Sequence, residues 1–188
     1  MREQADCNFN YAFYEGKMTT LDATKLSVDK INNLQYSMAD CSNLTSVIIP
    51  HIPSSANISN MFRYDDKITN AEFINCSDCG RISAIISTMN YVDNGTLNVI
   101  FNNFNGTYIT LSGRTQIGSF DIINSETSQI TSLSHAFNET RIKTFDFDLL
   151  DVTNVTTMQA MFANNPSLTS IHFGEMHTPY LTTIRQMF

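Results

Sequence analysis

Cys76-Ser-Asp-Cys79 has the C-x-x-C spacing of half a zinc site. A structural zinc needs four ligands, and no second C-x-x-C or H-x₃₋₅-H follows. The plainer reading is two small residues in the turn after a strand. His172, Glu175 and His177 crowd one strand end, where two imidazoles and a carboxylate have the donors for a metal. Catalytic zinc motifs rely on helical spacing that this triplet lacks, so an exposed polar strand end is expected. Gly113-Arg-Thr-Gln-Ile-Gly118 has the glycine spacing of a phosphate loop. Ser119-Phe120 stands where Lys and Ser/Thr would hold the phosphate, and no helix pattern follows. Seven Asn-x-Ser/Thr sequons, at Asn43, Asn57, Asn75, Asn94, Asn105, Asn138 and Asn154, bear on function only in a eukaryotic secretory setting. No catalytic residue, metal or cofactor is therefore expected, and the chain does not read as an enzyme.

The composition points the same way. The chain has 188 residues, 42% of them apolar, which suffices for one domain with a real core. Only 15% are charged, and the polar remainder is mostly Asn, Ser and Thr, residues that favour turns over helix interiors. Trp is absent while Phe (13) and Met (9) are plentiful, so the core is expected from Phe, Met, Ile and Leu. The net charge is −7 with no Lys/Arg cluster, which argues against nucleic acid and against an anionic membrane surface. No apolar run approaches the roughly 20 residues of a membrane-spanning helix, so no membrane insertion is expected. Residues 1–17 lack the continuous apolar stretch of a signal peptide. Export would then use a signal outside this sequence, and packaging into a virion is the alternative route. Four cysteines are too few for a disulfide scaffold.

The elements that would position such residues come from a repeat. Starts at 31, 55, 82, 105, 130, 155 and 181 are spaced by 23 to 27 residues. Three residues into each copy stand Leu34, Ile58, Ile85, Tyr108, Leu133, Met158 and Ile184. A pair follows, clearest as Met61-Phe62, Ala136-Phe137, Met161-Phe162 and Met187-Phe188, and degenerate as Thr88-Met89 and Leu111-Ser112. After a polar turn come three inward strand positions. The first column is Leu44, Ile68, Leu97, Ile117, Ile142 and Leu168. The second is Val47, Ala71, Ile100, Phe120, Phe145 and Ile171, and the third Ile49, Phe73, Asn102, Ile122, Phe147 and Phe173. Alternation at period two is a strand signature, and Asn102 breaks it, with a possible register shift over 97–101. A 25-residue coil cannot bury a face alone, but stacked coils share one core. The expectation is a mainly β solenoid with one short strand per repeat and little helix. Residues 1–30 form an N-terminal cap or half-repeat, and 31–188 hold six full repeats and a truncated seventh.

The segment 152–173, VTNVTTMQAMFANNPSLTSIHF, resembles the BspA-like leucine-rich repeats of bacterial and protist surface proteins. Ala39-Asp-Cys-Ser-Asn-Leu-Thr-Ser-Val47 is similar to that family's turn-plus-strand, with Cys41 where a Cys is frequent. The resemblance covers 31–188 and implies a right-handed solenoid with adhesive or protein-binding roles. The family has no shared catalytic residues to carry over.

Between the second and third strand columns point Ile48, Glu72, Phe101, Asp121, Asp146 and His172. Stacked in register at about 4.8 Å per step, they would form a mixed acidic and aromatic ribbon on one face. Solenoids bind partners on such extended faces. The function expected is non-catalytic recognition or adhesion, with a protein or glycan ligand bound at a cell surface or outside the cell. The alternative is a structural virion component such as a phage fibre or decoration protein. The seventh copy holds its Met187-Phe188 pair but no strand, so an end-on subunit or further repeats are expected at that edge.

Overall fold

Six coils open with a short polar side chain that bends its own backbone. Asn33 Oδ1 accepts the N–H of Gln35 at 2.9 Å, and Asn8, Asn57, Ser132, Thr157 and Thr183 do the same for the residue two further on. These side chains are what the Asn/Ser/Thr richness supplies: local acceptors that fix a turn. The computed structural model describes residues 7–26 and 30–188.

Two left-handed residues follow in most coils. The first is Tyr11, Tyr36, Asn60, His135, Ala160 or Gln186, and the second Glu15, Asp40, Tyr64, Glu139 or Asn164, all with φ between 51° and 67°. They reverse the chain twice around the Met-Phe position. Alternate N–H groups then close turns locally, as Ser37 to Leu34 O, while the others bond the next coil. Met38 donates to Met61 O at 3.1 Å, Phe137 to Met161 O at 2.9 Å and Phe162 to Met187 O at 2.8 Å. These backbone groups thus find partners one turn away in sequence or one coil away in space.

The strands are β1 (Cys7–Asn8), β2 (Thr20–Asp22), β3 (Ile31–Asn33), β4 (Ser46–Pro50) and β5 (Asn70–Ile74), then β6 (Leu97–Asn102), β7 (Ile117–Ile123), β8 (Thr144–Asp146) and β9 (Ser170–His172). All pairing is parallel: β2-β4-β5-β6-β7 form one sheet, β8-β9 a second and β1-β3 a third. The result is a β-solenoid of about seven turns. Residues 7–26 wind as a coil of the same kind, Cys7 opposite Ile31 and Leu21 opposite Val47; residues 1–6 and 27–29 of the expected 1–30 cap lie outside the described residues.

One α-helix, α1 (Cys79–Thr88), occurs among the described residues. It replaces the turn pair of the coil beginning near 82. Asp78 caps it by accepting the N–H of Arg81 at 3.0 Å, and Cys79, Ile82, Ile85, Ile86 and Met89 bury at helical spacing. Cys79 therefore opens a helix and does not sit in a turn. The next coil is also irregular. Tyr108 takes the bridge to Ser132 and is 42% exposed, so Ile109, not Tyr108, enters the core.

The core is a stack of rungs. Phe137 and Phe162 lie parallel with centroids 5.7 Å apart, and Phe145 sits 5.0 Å from Phe162. Phe101 meets Phe120 edge-on at 5.1 Å. A bulge between Leu97 and Asn98 shifts the register of β6, opposite Gly118. A Cβ at Gly118 would stand 2.0 Å from the carbonyl oxygen of Gly95, so only glycine allows this approach.

Candidate functional site

The expected ribbon exists in two parts. On the five-stranded sheet Asp22, Ile48, Glu72, Ile100 and Asp121 are successive register partners. Asp146 and His172 pair separately in β8-β9. Phe101 does not belong to the ribbon. The inward positions of β6 are Leu97, Val99 and Phe101 in unbroken alternation, so Phe101 is fully buried opposite Phe73 and Ile100 takes the outward place. For the same reason Val99 and Phe101 fill the second and third inward positions that Ile100 and Asn102 were expected to hold. Glu72 Oε1 accepts the side-chain amide of Asn102 at 2.7 Å, which fixes its carboxylate. Beside it runs a polar ladder from Asn70 to Asn98 to Ser119, with the Ser119 hydroxyl donating to Asn98 Oδ1 at 2.8 Å.

His172 does not gather with Glu175 and His177. Its neighbours come from the preceding coil: Nε2 lies 3.4 Å from Asp148 Oδ2, and Asp146, Asp148 and His172 hold one ligand atom each within 4.8 Å. Glu175 and His177 instead line a shallow depression with Asp148 and Asp151. The two cysteines of C-x-x-C are buried. The Cys76 thiol donates to Ile74 O at 3.4 Å, and Cys79 Sγ accepts the N–H of Thr110 at 3.1 Å. Burial pushes both thiols up to about 12, which keeps them protonated at neutral pH. Gly113, at φ +72°, serves a left-handed turn, and Gly118 the close approach described above. The phosphate-loop spacing thus has a structural use.

A second surface was not anticipated. Tyr11 and Tyr36 stack with centroids 5.0 Å apart, Tyr14 meets Tyr11 edge-on at 5.3 Å, and Tyr64 and Tyr91 lie 4.4 Å apart. Arg63 joins the two groups. Its guanidinium donates to the Tyr36 hydroxyl at 3.4 Å and the Tyr64 hydroxyl at 2.6 Å, and stands 4.5 Å over the Tyr64 ring. Hydrogen bonding to Tyr91, then to Tyr36 and Tyr64, raises its pKa. The signal was present: Tyr11, Tyr36, Tyr64 and Tyr91 recur at close to the repeat period, in the turns and not in the strands.

Residues 97–188 are similar to one known family. They match the family described as "Mycoplasma protein of unknown function, DUF285" over just under half of the chain, from β6 to the last turn. That family is named for neither leucine-rich repeats nor the BspA-like proteins. No curated protein matches the chain, and no solved structure matches it. Among the described residues no helix is long and apolar enough to cross a membrane.

At the last described coil Phe173, Tyr180, Ile184 and Phe188 are 49–67% exposed. A depression beside them is lined by Phe162, Leu168, Pro166 and Phe188.

Proposed function

We propose that this chain is a non-catalytic recognition or adhesion module of the BspA-like repeat type, displayed on a cell surface and binding a protein or glycan of another cell. The observation that carries the reading is the outward row Asp22, Ile48, Glu72, Ile100 and Asp121, held in strict parallel register across five strands. A rigid, extended, acidic face of this kind is what solenoids use to engage partners. The similarity of residues 97–188 to a Mycoplasma family supports a bacterial setting. The apolar patch of Phe173, Tyr180, Ile184 and Phe188 suits end-on contact with another coil.

The test is adherence of the labelled chain to intact cells. Replacing Glu72, Asp121 and Asp146 with Lys should cut adherence at least about tenfold while changing stability by less than about 1 kcal/mol. Protease or glycosidase treatment of the cells separates a protein from a glycan ligand. Unchanged adherence of the triple variant would remove the strand face from the reading.

A further inference from the structure

We infer that the tyrosine ridge Tyr11-Tyr14-Tyr36, bordered by Glu15 and Asp40, receives Arg or Lys side chains from an extended basic segment of a partner protein. This rests on the recognition reading and assigns it a second, separate surface.

Four features of the ridge converge. First, it exposes aromatic area that a core would hide: Tyr11, Tyr14, Tyr64 and Tyr91 are each 40–49% open, clustered across successive coils. Tyr and Arg in such clusters are the side chains that dominate protein interfaces, because they offer large contact area with few torsions to freeze. Second, Tyr11, Tyr36 and Tyr64 hold φ of 56°, 55° and 67°, where bulky residues are uncommon. Equivalent positions elsewhere hold Asn60, His135, Glu139, Ala160, Asn164 and Gln186, so an aromatic ring is not what the turn requires. Local strain at a bulky exposed side chain points to a use for that side chain.

Third, the charge around the ridge is acidic. The neighbouring carboxylates of Asp40 and Glu15 push the Tyr14 phenol up to about 12, and the whole chain carries −7. Carboxylates beside aromatic rings offer a guanidinium or ammonium both a charge-assisted hydrogen bond and a π face. Fourth, the chain already shows the chemistry one coil further on. Arg63 lies over Tyr64 and donates to two phenols, and among the described residues it has no ion-paired carboxylate. Tyr11 and Tyr14 present the same phenols with acids added, and among the described residues no cation stands over either ring. An incoming Arg would continue the arrangement along the solenoid axis.

The probes are three synthetic peptides of equal length, Arg-Ser, Glu-Ser and Gly-Ser repeats, titrated against the full chain by fluorescence anisotropy at low and physiological salt. The Arg-Ser peptide should bind, weaken as salt rises, and lose at least about tenfold in affinity with Tyr11→Ala/Tyr14→Ala. Tyr11→Phe/Tyr14→Phe keeps the rings and should stay within about threefold, and an unshifted melt shows that each variant is folded. Asp121→Asn/Asp146→Asn removes two charges from the strand face and should leave binding unchanged. Equal binding of all three peptides overturns the proposal, as does loss only with the strand-face variant or retention by the double alanine. Binding of an acidic oligosaccharide at the ridge in place of the Arg-Ser peptide overturns it too. Cell adherence of the unsubstituted chain keeps the two readings apart: a chain that adheres to cells yet binds no Arg-Ser peptide refutes the ridge and leaves the strand-face module standing.

Discussion

Asp65 is fully buried, and its environment makes a sharp prediction. Oδ1 accepts the N–H of Cys41 from the neighbouring coil at 2.7 Å, but Oδ2 has no partner. Desolvation is the main cause that pushes this carboxyl up to about 7, helped by Asp40 and Asp66 and opposed by the Cys41 bond. The native state therefore keeps its proton in a range where the unfolded chain has lost it. Stability tied to Asp65 is complete below about pH 4, falls as pH rises, and is lost once the native carboxyl ionises above about 7. A gap between about 4 and about 7 corresponds to roughly 4 kcal/mol at most, since each tenfold in proton affinity is about 1.4 kcal/mol. Asp65→Asn keeps the acceptor for Cys41 and removes the charge. The chain tolerates Asn at this phase, because Asn165 stands ten residues into its own coil as Asp65 does. Denaturant melts from pH 4.5 to 8 should show the wild type losing several kcal/mol and the variant losing far less. A variant minus wild-type difference that does not change with pH would refute the reasoning, as would an NMR midpoint near 4 for the Asp65 carboxyl.

Phe162 contacts Phe137, Phe145 and Phe147 and is 1% exposed, so Phe162→Ala should cost roughly 3–5 kcal/mol in denaturant melts; a loss below about 1 would mean the rung is loose. Gly118→Ala drives a methyl into the Gly95 carbonyl and should cost about 3 kcal/mol or more, whereas Gly113→Asn, in open space at a left-handed turn, should cost less than about 1.

The repeat was legible because apolar side chains recur where the coil must face inward: those columns are buried in the coils of β4, β5, β7 and β8, while in that of β9 Leu168 and Ile171 are half-buried and Phe173 is exposed. Val47, Phe73, Ile117 and Phe145 are all buried as their positions in the pattern require. The register failed at β6. Leu97, Val99, Ile100 and Phe101 are apolar on both phases of the alternation, so side-chain pattern alone cannot choose which set is inside. β6 has one residue fewer than β7 between its first and second inward positions; the unpaired residue is Gly118 of β7, packed against Gly95, and glycine spacing looks the same whether it serves a bulge or a phosphate. The helix likewise follows from a cap, Asp78, inside a C-x-x-C motif that draws attention to the cysteines.

The candidate site was harder to read because neighbours in a solenoid are one period apart. His172 was weighed against Glu175 and His177, three and five residues along the chain, yet the groups that reach it are Asp146 and Asp148 on the coil below. Tyr36 was likewise a turn residue in isolation, and becomes part of a surface only when Tyr11 and Arg63 are set beside it from the coils on either side. Parallel stacking converts any residue repeated near the period into a contiguous row, whichever phase it occupies. An apolar row at an inward phase is core, and a polar row is a ladder of hydrogen bonds. A row of tyrosines at an outward phase satisfies neither need of the fold. Tyr11, Tyr36 and Tyr64 hold it on left-handed backbone, and the binding proposed for the turns stands beside that proposed for the strand face.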